Sequence, residues 1–361
     1  VYIVARLFPL FASAADVLHM IANIGVFTSL FAAVIACTQD DIKRVLAFST
    51  LSQLGYMMWA LGVATMESPL GYTASMFHLF THAFFKALLF LGAGALIHSV
   101  HSNSIWDMGG LRKKMPFTHI FFAIAWLAIS GVWPFAGFFS KDEMLLAANI
   151  NGHSTIFALG LATAALTAFY MSRIYFVSFW GKARTEKASH AHEAPWVMLF
   201  PLLVLAVASA AAGFVPFSHF VSIGHLEHGE HASGLPLPVP VLGTICAVSG
   251  IFLSWLFYVA APALPVNIAK GLGGFYTAIR SKFYIDEIYL FVTKQIIFRF
   301  VSAPIAWFDR NVVDGGVNLS GRGTRWFGGF LSLAQTGQLQ TYVAWLIFGG
   351  LAIAAIRIFA L

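Results

Sequence analysis

The sequence predicts an all-α fold: a polytopic transmembrane helix bundle with one broken helix, a long amphipathic helix lying along a surface, and a final anchor span. Three observations carry that reading. Of 361 residues, 59% are hydrophobic and 10% charged, with a mean hydropathy of +0.80, whereas soluble domains carry about 25% charged residues. Apolar windows of about 20 residues, long enough to cross a bilayer, recur along most of the chain. Lys and Arg gather on one side of those windows. So few charges cannot cover a water-facing surface, which excludes a soluble enzyme, a disordered tail and a nucleic-acid module.

The elements follow in chain order. Residues 1–12 read as the tail of a span. The opening Val1-Tyr2-Ile3 has no initiator Met, and no basic-then-apolar leader follows, so we expect a chain whose first part is missing. Full spans fall at about 17–37, 45–65 and 72–99. The stretch 117–150 is too long and too interrupted for one straight helix. Pro134, Gly137 and Lys141-Asp142-Glu143 sit within it, so it reads as a single broken span. Further spans fall at about 154–180, 196–216 and 238–261, and the last at 341–361.

The loops test that count. Lys43, Arg44, Arg112, Lys113, Lys114, Lys182, Arg184, Lys187, Lys270, Arg280 and Lys282 all fall on one face. The opposite loops, near 13–16, 66–71, 151–153 and 217–237, contain no Lys or Arg. Counting 117–150 as two spans would scramble this asymmetry. The basic face is therefore the expected cytoplasmic one. The membrane it suits best is a bacterial inner membrane, with the mitochondrial inner or thylakoid membrane as alternatives.

Residues 283–338 mix apolar groups with Lys294, Arg299, Asp309, Arg310, Asp314, Arg322 and Arg325 at intervals too short for a span. The pattern predicts a long helix along a surface, interrupted near Gly315-Gly316. Tied at its far end by the last span, it either touches neighbouring subunits or rests on lipid. Cys37 and Cys246 each sit in apolar stretches and read as small buried hydrophobes, not a disulfide.

Two lysines, Lys86 and Lys141, fall at mid-membrane depth, where each costs at least ~2.5 kcal/mol, so such residues usually mark a pathway. Lys86 closes the series His78, His82, Lys86, whose spacing of four sets all three on one helix face, with Thr81 close by. Burial disfavours a lysine's charged form and histidine titrates near neutrality, so the three make a candidate proton wire. Lys141 sits just after the Pro134–Gly137 interruption, and broken transmembrane helices expose backbone groups where they line a cavity. Asp142 and Glu143 follow it as candidate charge partners.

The loops carry weaker signals. His190, His192 and Glu193, and His225, His228 and His231 with Glu227 and Glu230, have donors for a metal, but flexible His-containing loops are commoner. A haem held by two histidines needs them on different helices, whereas His78 and His82 share one face beside a cation. Glycines 92, 94, 109 and 110 match no phosphate loop.

These residues form a familiar set. Gln39 to Tyr56, reading QDDIKRVLAFSTLSQLGY, is similar to the D-I-K-R-V-L-A-Y-S-T-x-S-Q-x-G-Y signature of the antiporter-like subunits of respiratory complex I. Phe77 to Phe90, FHLFTHAFFKALLF, resembles the same family's F-H-L-x-T-H-A-F-F-K-A-L-L-F. Met108-Gly109-Gly110-Leu111 and Gly137 to Glu143 complete the pattern in order. Lys282 to Tyr289, KFYIDEIY, together with the lateral helix and anchor, favours the family's largest antiporter-like subunit. Subunits of multisubunit sodium/proton antiporters share the core motifs and stand as the alternative.

The resemblance implies an antiporter-like fold of two inverted five-helix repeats, each with a broken helix. Residues 1–16 then form a remnant of the first repeat, 17–180 the complete second repeat, 181–282 two further spans with loops, 283–340 the lateral helix and 341–361 the anchor. The chain would be the C-terminal portion of such a subunit, so the first repeat's coupling Lys and Glu have no counterpart in it. The remnant reads Ala5-Arg6-Leu7-Phe8-Pro9, a departure from members that carry a His there. Carried over, Lys86 matches the central relay lysine, His78 and His82 the linking histidines, and Lys141 the broken-helix lysine, with Asp142 and Glu143 beside it. The implied activity is proton translocation in an NADH–quinone oxidoreductase. The resemblance implies no cofactor in this chain, with NADH, FMN, iron–sulfur clusters and quinone in other subunits. Its implied partners are other membrane subunits of the complex, especially neighbouring antiporter-like ones, reached through 283–340.

Overall fold

A computed structural model describes residues 1–221, 223 and 238–359. Of the described residues 83% are helical, and the chain divides into two units, Val1–Phe283 and Tyr284–Leu361.

The first unit opens with short helices α1 (Tyr2–Arg6) and α2 (Phe8–Ala12). The bundle follows as α3 (Ala15–Ala36), α4 (Ile42–Gly62), α5 (Leu70–Val100), α6 (Pro116–Ser130), α7 (Ala136–Ile150) and α8 (Ser154–Phe179). A single turn, α9 (Glu186–Ser189), precedes α10 (Trp196–Ala211) and α11 (Pro238–Trp255), and two amphipathic pieces, α12 (Ala263–Leu272) and α13 (Gly274–Arg280), end the unit. α3, α5, α8, α10 and α11 lie in segments long and apolar enough to cross a membrane. The predicted broken span is α6 and α7, each 15 residues, separated by a non-helical Gly131–Phe135.

Contacts at the two ends of the bundle agree with the loop charges. At the basic end Ile42 N donates to Asn103 O, Ile105 N to Asp40 O and Gly110 N to Trp180 O. Thr185 Oγ1 donates there to Asp107 O. At the other end Asn151 Nδ2 reaches Val63 O at 2.7 Å, and the His19 and His153 rings lie 5.9 Å apart. Between α3 and α9, loops predicted to share a face do share one. Outward-facing Met20, Ile24 and Phe27 on α3 show why the charge content is so low: the exterior of the bundle is itself apolar.

α3 and α4 cross on small residues. A Cβ added at Gly25 would lie 2.4 Å from Trp59 N, and one at Gly55 would lie 2.6 Å from Ser29 N. Small residues let membrane helices approach until dispersion and polar contacts form, here Ser52 Oγ to Ser29 O at 2.9 Å. Gly25→Val therefore forces the pair apart. We expect it to destabilise the protein by at least about 1–3 kcal/mol, the usual range for overpacking, read as a lower thermal midpoint. A wild-type midpoint would show the crossing to be slack.

The second unit contains α14 (Ile285–Phe291), α15 (Ala303–Phe308), α16 (Asp314–Ala334) and α17 (Leu339–Phe359). The first three, with the wide turns between them, join into one helical run from Ile285 to Ala334, on the order of 75 Å at 1.5 Å per residue. Part of it meets the apolar criterion for a span, yet its length far exceeds the ~30 Å of a hydrocarbon core. The interruption expected near Gly315-Gly316 does not fall on the glycines, which both lie inside α16. A helical glycine costs only about 1 kcal/mol. The irregularities are instead wide π turns at Val292–Ser302 and Asp309–Val313. The first ends just before Pro304, whose missing N–H and bulky ring disturb a helix more than glycine does.

Candidate functional site

The α5 series is buried as its spacing requires: His78 is 0%, His82 6% and Lys86 5% exposed, and the two histidine rings lie 6.0 Å apart. The group that α7 brings to them is Ser140. Its Oγ lies 2.9 Å from His78 Nδ1 and 2.9 Å from Thr81 Oγ1.

Lys141, next in sequence, turns toward the helix break. α6 ends at Gly131, whose φ of +78° makes a left-handed cap. Gly131 N then donates to Ala128 O and Val132 N to Leu127 O, a pattern that satisfies some of the terminal carbonyls. Ile129 O takes the Lys141 ammonium instead, at 2.8 Å. The negative end of the α6 dipole favours a cation there. The same Nζ lies 5.7 Å from the Tyr56 ring. A Cβ on Gly137 would sit 1.9 Å from Ala128 O, so glycine is what allows α7 to start this close to the end of α6.

Lys86 Nζ and His82 Nε2 have no hydrogen-bond partner among the described residues. Phe90 approaches the amine at 5.9 Å. Asp142 faces α11, where a Cβ on Gly243 would lie 2.6 Å from its Oδ1. Neither Asp142 nor Glu143 forms an ion pair with Lys141 among the described residues. Successive helical side chains diverge by about 100°, so these carboxyls point away from the Lys141 amine. The structure thus joins His78, Thr81 and Ser140 directly, sets His82 and Lys86 beyond them on α5, and places Lys141 one residue from the contact.

Several polar groups escaped the sequence reading. Gln53 Oε1 lies 3.1 Å from His78 Nε2, and Gln53 Nε2 lies 3.4 Å from Thr167 Oγ1. Arg173, 3% exposed inside α8, binds Cys37 O, Gln39 O and Asp40 Oδ1 at 3.0, 2.6 and 2.8 Å. Arg280 takes the other Asp40 oxygen at 2.8 Å. The signal for Arg173 was visible, a guanidinium within the 154–180 span, where a charge demands a partner. Asp40→Ala leaves that guanidinium on carbonyls alone. We expect a loss of about 1–3 kcal/mol, read as a lower thermal midpoint, and an unchanged midpoint would mean the carbonyls suffice.

The loop candidates fare differently. Glu193 caps α6, accepting from Phe117 N at 2.7 Å and Thr118 Oγ1 at 2.6 Å, which removes its carboxylate from any set with His190 and His192. His225, His228, His231, Glu227 and Glu230 lie outside the described residues.

Together these features define a multi-pass α-helical membrane protein with lysines and histidines buried around a broken helix. Residues 1–167 match the family described as NADH:quinone oxidoreductase/Mrp antiporter, transmembrane, and the chain belongs to that family. It is 38% identical to NAD(P)H-quinone oxidoreductase chain 5 of Picosynechococcus sp., over 97% of this chain and 57% of that protein. Against NADH-quinone oxidoreductase subunit L of Rhodobacter capsulatus the identity is 34%, over 98% of this chain and 60% of the relative. For the subunit L of Mycobacterium tuberculosis it is 37%, over 98% and 57%. The chain thus spans somewhat over half the length of these relatives. Among solved structures, the Mrp complex from Dietzia sp. matches with a TM-score of 0.54 and 20% identity, over 72% of this chain and 52% of the other. That likeness is one of fold.

Proposed function

We propose that this chain belongs to a proton-translocating membrane subunit of an NADH–quinone oxidoreductase, respiratory complex I. The observation that carries the reading is the buried series Lys86, His82, His78 and Ser140, with Lys141 beside it at the helix break. Each side chain of that series can gain and lose a proton or pass one on. Lys141 is held by one carbonyl and Lys86 by no fixed acceptor, so among the described residues neither charge is locked by a carboxylate. Protons exchange at Lys141 and shuttle along Lys86, His82 and His78, while Asp142 and Glu143 bias occupancy through space. NADH oxidation, flavin, iron–sulfur and quinone chemistry belong to other subunits. Their energy reaches this chain by electrostatics or by movement that favours one protonation state.

The partners are the other membrane subunits, with residues 283–340 as the element that meets neighbouring antiporter-like ones. The basic face is cytoplasmic, in a bacterial inner membrane or its organellar equivalent. The fold shared with an Mrp complex keeps one competitor, a subunit of a multisubunit sodium/proton antiporter. Purification of the whole protein from its membrane through a tag separates the two. Recovery with flavin and iron–sulfur subunits, and proton transport indifferent to sodium, supports the first. Recovery without redox subunits, and exchange that requires sodium, would replace it with the second.

A further inference from the structure

Gln53 and Thr167 pack against the relay from α4 and α8, and their donors and acceptors determine the state of His78. Thr167 Oγ1 donates its single hydrogen to Thr163 O, one turn back, at 2.8 Å. Toward Gln53 that oxygen is left only to accept. Gln53 must therefore turn its NH2 to Thr167, 3.4 Å away, and its carbonyl oxygen to His78 Nε2 at 3.1 Å. An amide oxygen accepts and never donates, so Nε2 carries the N–H. In a neutral imidazole the other nitrogen is then a bare acceptor, and that Nδ1 lies 2.9 Å from Ser140 Oγ, nearer than the hydroxyl's other acceptor, Ala136 O, at 3.3 Å. Gln53, Thr167, His78 and Ser140 are all fully buried, so bulk water does not compete for these bonds.

We propose that Gln53 is a positioning residue that fixes His78 as the Nε2–H tautomer, leaving Nδ1, the nitrogen facing Ser140, as its one proton port. The inference rests on the relay reading and names the nitrogen through which His78 takes part in it. An incoming proton reaches Ser140 Oγ as that oxygen passes its own hydrogen to Nδ1. Ser140 stays neutral and His78 becomes an imidazolium with an N–H on each nitrogen. An amide oxygen is too weak a base to take the Nε2 proton, so discharge reverses at Nδ1. His78 holds and returns a proton on one side, and the side toward Thr167 is closed.

The test is nitrogen NMR of the intact complex labelled with 15N-histidine, with His78 assigned by its disappearance in His78→Asn. The expected wild-type signal is a protonated Nε2 and an unprotonated Nδ1. In Gln53→Met, which keeps length and bulk, that preference is lost and proton pumping falls several-fold while NADH oxidation with an artificial acceptor persists. Should Gln53→Met fail to assemble, Thr167→Val frees the amide to turn and gives the same signature, and Thr167→Ser restores the wild-type one. A protonated Nδ1 in the wild type, or an unchanged tautomer in the variants, would overturn the proposal. The nitrogen signals read the tautomer whether or not the lysines pump. Expected signals with lysine variants that pump normally would sink the relay and leave the tautomer lock standing.

Discussion

Lys141→Ala slows proton transport through this subunit by at least about tenfold, equivalent to about 1.4 kcal/mol on the limiting barrier, and Lys141→Arg does not restore it. The pair of variants separates two roles that a buried lysine can play. As a fixed cation, Lys141 needs only to satisfy Ile129 O and the end of α6, and arginine would serve. As a carrier it must also release its proton, which a guanidinium does not do in proteins. Alanine additionally leaves Ile129 O without its partner, at a cost of about 1–3 kcal/mol, so assembly is to be checked alongside transport. Acidification of everted vesicles on adding NADH, with NADH oxidation followed in parallel, gives the comparison. Recovery of transport in Lys141→Arg would reduce Lys141 to a structural charge.

Lys86→Met moves stability and function in opposite directions. Lys86 Nζ is buried with no hydrogen-bond partner among the described residues, and an unsatisfied buried polar group costs about 1–3 kcal/mol. Methionine fills similar space without that cost. The thermal midpoint of the variant is expected to equal or exceed the wild type's, while transport falls at least about tenfold, since the far end of the α5 series is gone. The sign makes the measurement informative. A residue kept for packing loses stability when truncated, whereas one kept for proton transfer loses only transport. A lower midpoint with normal transport would assign Lys86 to structure.

What the sequence could and could not reveal follows from the physics of each signal. Helix-length apolar windows and one-sided basic loops are one-dimensional patterns imposed by the bilayer, so the spans, the broken helix and the basic face were legible. The His78, His82, Lys86 stripe was legible too, because a spacing of four is a property of one helix. Contacts between helices carry no such signature. Whether Ser140 or Lys141 meets α5 depends on about 100° of rotation around α7, set by how closely Gly137 seats it on α6. Gln53 and Thr167 come from two other helices, and no periodicity links them to His78. Arg173 was overlooked although a guanidinium within a span is a plain signal. The interruption expected near Gly315-Gly316 is not at the glycines, which are helical; the disturbances are wide turns ending at Val313, two residues before them, and at Ser302, next to Pro304.

The relay is tested most directly by counting protons. The whole complex, carrying Lys141→Ala together with Lys86→Met, is reconstituted into liposomes, and the number of protons moved per electron pair is measured against the wild type at equal NADH oxidation. A lower ratio in the double variant, with assembly and electron transfer intact, is the predicted result. A wild-type ratio and rate would contradict the buried lysines as proton carriers.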